Sequence, residues 1–174
     1  HYQMDPFADE SLIFVAMDGE TIAASVRVFD REVWIDGRSV HVGGIGEVST
    51  KPQYRRRGLV SELMQMAIAE MTERGMQASI LFGDQAIYEK AGWRFCAAQF
   101  AEVDVAQLTI ADADHAIRPF DNADLPYLMG LYDLYAGRLD GAVIRNEAYW
   151  NQWVLPQWKN PLVLVCDERP VAYC

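Results

Sequence analysis

The residues of this chain best suited to chemistry stand together at Arg55-Arg56-Arg57-Gly58, immediately before a helical pattern that begins at Leu59. A strand rich in Val and Gly ends at Ser49, Lys51-Pro52 opens a basic loop, and Gly58 permits a tight turn into the helix. The first backbone N–H groups of a helix have no intrahelical acceptor and carry the positive end of the helix dipole. A strand, a basic glycine turn and a helix therefore make an anion site, and a diphosphate is its natural occupant. Read more plainly, the same run is a solvated basic loop, since short clusters of like charge are common on surfaces.

Neither common phosphate motif is present. Gly43, Gly44 and Gly46 precede the turn, so no G-x-G-x-x-G opens the helix, and no Lys-Ser/Thr pair follows Gly58. Arg55-x-x-Gly58-x-Val60 instead resembles the acetyl-coenzyme A pyrophosphate loop of the GNAT superfamily of N-acetyltransferases, Gln/Arg-x-x-Gly-x-Gly/Ala. Val60 departs from that pattern, where the last residue is small, and fits if its side chain points into the core. About thirty residues on, Tyr88-x-x-x-Gly92-Trp93 is similar to the GNAT segment in which a tyrosine sits opposite the thioester. The two segments come in the family's order, and the resemblance covers roughly Leu12 to Phe100.

The resemblance implies an α/β (α+β, mixed-sheet) GNAT acyl-CoA N-acyltransferase fold, with acetyl-CoA as co-substrate. Arg55, Arg56, Arg57, Gly58, Leu59 and Val60 would then hold the pyrophosphate. Val48 and Ser49 would act through backbone groups, polarising the acetyl carbonyl and pairing with the pantetheine amides like an added strand. Tyr88 would protonate the departing thiolate. Glu47 is the first choice of base for the incoming ammonium, directly or through water, although strand alternation can also turn it away. Asp84 is a second choice of base, with helix capping as its plainer role.

Stepwise, the surrounding elements are legible. Leu12 to Met17 reads as a buried strand, Asp18-Gly19-Glu20 as a hairpin turn, and Thr21 to Ile35 as the next strand. Asp36-Gly37 turns the chain into a long strand, Ser39 to Ser49, completing an antiparallel meander. Gly43-Gly44-Ile45-Gly46 within it predicts a bulge or a close approach of another backbone. Val60, Leu63, Met64, Ala67, Ile68 and Met71 form one helical stripe, Gly75 ends that helix, and Ala78 to Phe82 follows as a parallel strand. Asp84 can cap a short helix running through Lys90, with a strand starting at Trp93.

Beyond Phe100 the order changes. Ala101 to Ile110 reads as a strand and Ala111 to Asp114 as a connector, which divides the chain into residues 1–112 and 113–174. Ala116 to Phe120 is a new strand, Asp121 to Asp124 a cap, and Leu125, Leu128, Leu131, Tyr132 and Tyr135 a helical stripe. Asn146 to Trp153 is another helix, Pro161 to Asp167 a strand, Glu168-Arg169-Pro170 a turn, and Val171 to Cys174 the returning strand. Strand–helix–helix–strand–strand is how a GNAT domain opens, and the first hundred residues lack that opening. The chain thus resembles the later part of one GNAT domain joined to the opening half of a second, as in the enhanced intracellular survival (Eis) family of tandem GNAT domains. In that family the second domain is degenerate, and a C-terminal carboxylate delivered by a further domain serves as base.

Composition sets the outer bounds. A chain of 174 residues, 51% of them hydrophobic, can bury a proper core. Its net charge of −10 argues against general nucleic-acid binding and suits cationic partners. No apolar run is long enough to span a membrane and no signal-peptide layout opens the chain, so a cytoplasmic setting is expected. Cys96, Cys166 and Cys174, with His1, His41 and His115, have no metal-ligand spacing, and no metal is expected. Trp150, Trp153 and Trp158 can wall a pocket for a cation or pack an interface, which leaves a homo-oligomer open. The expected activity is transfer of acetyl to a primary amine, aminoglycoside-like or lysine-type, by direct attack in a ternary complex. The competing expectation is a non-catalytic or truncated module that binds CoA or a protein partner.

Overall fold

A computed structural model describes residues 5–96 and 115–174 of the chain. Its first part is a four-stranded sheet in the order β1-β2-β3-β4: β1 (Ile13–Asp18), β2 (Thr21–Ile35), β3 (Arg38–Thr50) and β4 (Ala78–Leu81). β1, β2 and β3 form the expected meander. The turn between β2 and β3 puts Asp36 and Gly37 at φ 50° and 68°, a two-residue hairpin whose left-handed residues match the strand twist. Helix α1 (Leu59–Glu73) then crosses over, so that β4 pairs parallel to β3 from Val42↔Ala78 to Ile45↔Leu81. Phe82, expected in that strand, lies outside it and is fully exposed.

The core explains the helical stripe. Leu63, Met64, Ala67 and Met71 of α1 pack on Leu12, Val26, Val28 and Ile45, with Val60 and Ile68 at its margin. Burying a side chain of this size is worth about 1.5–3 kcal/mol relative to leaving it exposed. The glycines of β3 accommodate side chains rather than another backbone. A Cβ on Gly43 would overlap Met71 Sδ, and one on Gly46 would press into the Phe29 ring. The bulge itself falls just after them: Glu47 and Val48 together oppose Val26, and Glu47 takes φ 50°.

An ionic clamp ties the chain's start to the end of α1. Arg74 reaches Asp9 at 2.7 Å and Glu70 at 2.7 Å, and Asp9 also accepts hydrogen bonds from the Ser11 hydroxyl and backbone N–H. The Ser11 hydroxyl foremost, with Arg74 and the Ser11 backbone, holds the Asp9 carboxyl at about 2, below its ordinary 3.8. A depressed carboxyl stabilises the fold above its unfolded value and loses that contribution as pH falls through the folded one. The melting-temperature gap between the unmodified chain and Asp9→Asn is therefore expected to be constant above pH 5 and to close between about pH 4 and pH 2. A gap independent of pH across that range would refute this role for the carboxylate.

The second part forms a three-stranded antiparallel sheet, β5 (His115–Pro119), β6 (Leu162–Cys166) and β7 (Arg169–Tyr173), in that order. Before helix α3 (Leu125–Ala136), Asp121 and Asp124 make a capping box, and Arg118 forks onto both oxygens of Asp124 at 2.7 Å. The buried line on α3 runs through Leu125, Leu128 and Ala136, so Tyr135, expected on the stripe, falls beside that line and is exposed. The second helical stretch comprises α4 (Glu147–Tyr149), a π-turn over Trp150–Val154 and α5 (Leu155–Gln157), with Asn146 as its N-cap. The β6–β7 turn is tighter than expected: Asp167 and Glu168 take φ 47° and 63°, while Arg169 and Pro170 already belong to β7. Proline is tolerated there because β7 is an edge strand, where a ladder donor can be missing.

Backbone joins the two parts. Residues 141–144 run along β2 through Gly141 N–H to Trp34 O at 2.7 Å, Trp34 N–H to Ala142 O at 2.9 Å and Ile144 N–H to Glu32 O at 2.8 Å. The expected strand from Trp93 is not formed over Trp93–Cys96. The remainder of that strand, the Ala101–Ile110 strand and the connector with its boundary at 112/113 lie outside the described residues.

Candidate functional site

The basic loop is anchored at its base and open at its tip. Lys51 N–H donates to Ala23 O at 2.9 Å, and Pro52–Tyr54 makes a single 3₁₀ turn. The Tyr54 hydroxyl donates to Asp18 at 2.7 Å, and the Arg57 guanidinium stacks 5.1 Å from the Tyr54 ring centre. That hydrogen bond to Asp18 pushes the Tyr54 phenol up from its ordinary value. Arg55, Arg56 and Arg57 are exposed. Gly58, at φ 80°, is the N-cap of α1 and supplies no side-chain cap. A Cβ there would meet nothing within 4 Å, so the glycine is required by its backbone angle and not by space. The first intrahelical bond runs from Glu62 N–H to Gly58 O, which leaves the N–H groups of Leu59, Val60 and Ser61 without a helical acceptor. Val60 packs against the core, which accommodates its departure from a small residue. Tyr54 was not singled out in the sequence, although an aromatic three residues before an arginine was the available signal.

Beside the loop, β3 outruns its parallel neighbour. β4 stops at Leu81 opposite Ile45, so Gly46–Thr50 has no strand on that side among the described residues. On the other side, Lys51 bonds Ala23 and Ser49 pairs with Ser25, so Val48 and Thr50 turn their backbone groups toward the uncovered edge. Ser49 faces the ladder instead, with its hydroxyl 2.8 Å from that of Ser25. Thr50 is thus the second residue with backbone free for an added strand; only the register reveals it.

Glu47 stands at the bulge with its side chain 54% exposed, and a charged chain beneath fixes it. Arg27 Nη1 donates to Glu47 Oε1 at 3.3 Å, and Arg27 Nη2 to Asp5 at 3.1 Å. Arg31 also donates to Asp5, at 2.6 Å, and Phe7 N–H binds the other Asp5 oxygen. Asp5, Arg27 and Arg31 are all buried. The bulge answers the alternation question left open by the sequence, because the extra residue resets which side Glu47 faces.

Tyr88 closes α2 (Gln85–Tyr88), where the Ile87 and Tyr88 N–H groups bond Asp84 O, and Trp93 N–H returns to Tyr88 O. Its ring lies over Gly83, where a Cβ would overlap it, and packs against the core. Gly92, at φ 107°, ends the turn. Since β3 and β4 are parallel, Val48 and Thr50 at the carboxyl end of β3 share that end of the sheet with the start of α1 and Tyr88, which follow β3 and β4. In open α/β sheets that end is where ligands bind. Among the described residues no group of His, Cys, Asp and Glu is arranged to hold a metal ion, and no helix is long and apolar enough to cross a membrane.

A parallel pair in which β3 outruns β4, followed by a left-handed glycine and a bare helix start, makes a site for an extended ligand with an anionic end. The family described as "Acetyltransferase (GNAT) domain" matches residues 1–96, and the chain belongs to that family. It is similar to an uncharacterised N-acetyltransferase of Streptomyces griseus, 29% identical over 157 residues, covering 83% of this chain and 38% of that protein. The chain therefore spans well under half the length of the curated relatives it matches. In fold it is similar to a GCN5-related N-acetyltransferase from Anabaena variabilis, with TM-score 0.73 and 22% identity over 93% of this chain and 43% of the other. Eis1 from Mycobacterium abscessus is also similar, with TM-score 0.62 and 18% identity over 92% of this chain and 43% of the other.

Proposed function

We propose that the chain is the acetyl-CoA-binding portion of an N-acetyltransferase that acetylates primary amines in a ternary complex. The observation that carries this reading is the edge of β3 at Val48 and Thr50, uncovered among the described residues, beside the bare N-terminus of α1 and three exposed arginines. The residues fit the co-substrate's chemistry. Arg55–Arg57 and the Leu59–Ser61 N–H groups suit a pyrophosphate, and the strand edge suits an amide-bearing arm. Acetyl-CoA would supply an activated acyl group. The chain's own contributions are a strand backbone to orient and polarise the acyl carbonyl, Tyr88 to return a proton to the leaving sulfur, and Glu47 to take one from the amine, directly or through water.

The acidic balance supports cationic acceptors of the aminoglycoside or lysine type. The separate β5–β7 sheet with its capped α3 supports reading residues 113–174 as the opening half of a second GNAT-like unit, as in Eis-type tandem proteins.

Calorimetry with acetyl-CoA tests the proposal. The unmodified chain is expected to bind, and the Arg56→Glu/Arg57→Glu variant to bind about a hundredfold or more weakly, since each charged hydrogen bond to a phosphate is worth roughly 1.5–3 kcal/mol. Equal affinity in both would remove the loop from the site. An amine panel in which CoA release followed only anionic acceptors would sink the acceptor class. Binding without turnover on any amine would favour the non-catalytic module.

A further inference from the structure

Among the described residues, Glu47 alone has left-handed backbone inside a strand, at φ 50°. A left-handed position at a bulge is ordinarily taken by glycine, because a side chain there is strained. β3 holds Gly43, Gly44 and Gly46, yet none of these has a positive φ. A strained non-glycine residue persists only where its surroundings over-determine it, and such residues gather at functional sites.

The surroundings here are two neighbours on β2. The Ser25 hydroxyl donates to Glu47 O at 3.0 Å, and Arg27 Nη1 donates to Glu47 Oε1 at 3.3 Å. One holds the backbone of the bulge residue and the other its carboxylate. Two residues apart on a strand, Ser25 and Arg27 share the sheet face opposite the core residue Val26. Arg27 is itself held: it is 3% exposed, donates from Nη2 to Asp5 at 3.1 Å, and lies 4.2 Å from the Phe29 ring centre. Asp5 in turn is fixed by Arg31 and the Phe7 N–H. A surface ion pair must order two flexible side chains, whereas this guanidinium is already ordered when it meets the exposed carboxylate. The other Glu47 oxygen, Oε2, has no hydrogen-bond partner among the described residues.

We infer that Arg27 is a positioning residue for acetyl transfer: with Ser25 it holds Glu47 so that Oε1 stays engaged and Oε2 is left to take the proton of the amine, directly or through water. This rests on the reading of Glu47 as the base and adds what fixes it in place. Glu47 takes one proton from the ammonium and releases it to water. The nitrogen's second proton, lost as the amide forms, balances the one that Tyr88 gives to sulfur.

A double-mutant cycle tests the inference, with CoA release measured from acetyl-CoA and, as acceptors, an aminoglycoside and a blocked lysine peptide. Glu47→Gln is expected to lower turnover on the order of a hundredfold and Arg27→Met on the order of tenfold, each with acetyl-CoA affinity within about twofold of the unmodified chain. In the Glu47→Gln background, Arg27→Met is expected to lower turnover by less than about twofold more, because a residue that acts through Glu47 has nothing left to act on. A merely structural role would give additive losses. Arg27→Met leaves Asp5 with Arg31 and the Phe7 N–H, and circular dichroism checks its folding. If it does not fold, Ser25→Ala runs the same cycle, with an expected loss of about three- to tenfold for one hydrogen bond. Additive losses in a chain that turns over would overturn this inference while leaving acetyl transfer itself standing, as would a Glu47→Gln variant as active as the unmodified chain. No turnover by the unmodified chain on either acceptor would remove the acetyltransferase reading and this inference together.

Discussion

Tyr88→Phe is expected to lower turnover on the order of a hundredfold while leaving acetyl-CoA affinity within about twofold of the unmodified chain. The substitution removes only the hydroxyl. The ring that lies over Gly83 and packs against the core remains, so α2 and its connection to Trp93 should hold. A thiolate leaving without a nearby donor must take its proton from water, and positioned general acids typically contribute factors of about 10²–10⁴. Steady-state CoA release with a responsive amine, together with calorimetry, separates the two effects. Unchanged turnover would take the proton-donor role from Tyr88, whereas loss of acetyl-CoA binding would make the residue a structural part of the cleft.

The second large effect is on stability. Asp5→Ala is expected to cost roughly 3–5 kcal/mol, because it strips the shared carboxylate from two buried guanidiniums. Asp5 Oδ2 takes hydrogen bonds from Arg27 at 3.1 Å and Arg31 at 2.6 Å, and its side chain is wholly inaccessible to solvent. Arg31 keeps the faces of Phe7, Phe29 and Tyr149, and Arg27 keeps Glu47 and the Phe29 face. Those contacts soften the loss but do not neutralise two charges. Asp5→Asn, which retains one acceptor and the same shape, should fall between the two. Chemical denaturation measures both, and a loss below about 1 kcal/mol for Asp5→Ala would show that the arginines repair themselves. The same change should loosen Glu47, since Arg27 is the link between Asp5 and the bulge.

Much of this protein could be read from local rules. The strand Thr21–Ile35 was bounded to the residue by Asp18-Gly19-Glu20 and Asp36-Gly37, because those turns demand left-handed backbone that few other pairs supply. The α1 stripe and Gly58 were legible for a similar reason: helical periodicity and a positive φ leave marks in composition. The arginine–glycine loop, and with it the family, therefore came from the sequence.

What the tertiary structure decided are the features that depend on register and on partners distant in the chain. The position of the bulge at Glu47, one residue past the glycine run, follows from how β2 and β3 pair around Val26, and it alone turns the Glu47 side chain outward. That Thr50 rather than Ser49 shares the open edge with Val48 depends on Lys51 bonding Ala23, a contact spanning the hairpin. Asp5 reads as an ordinary acidic residue near the start of the chain until Arg27 and Arg31 close on it. The tryptophans, which the sequence leaves between a cation pocket and an interface, include Trp150, a fully buried ring on which Arg145 stacks together with Tyr132. Turns and helical stripes are written by the conformational preferences of neighbouring residues. Pairing register and buried charge are set by free energies between groups that only the folded chain brings together.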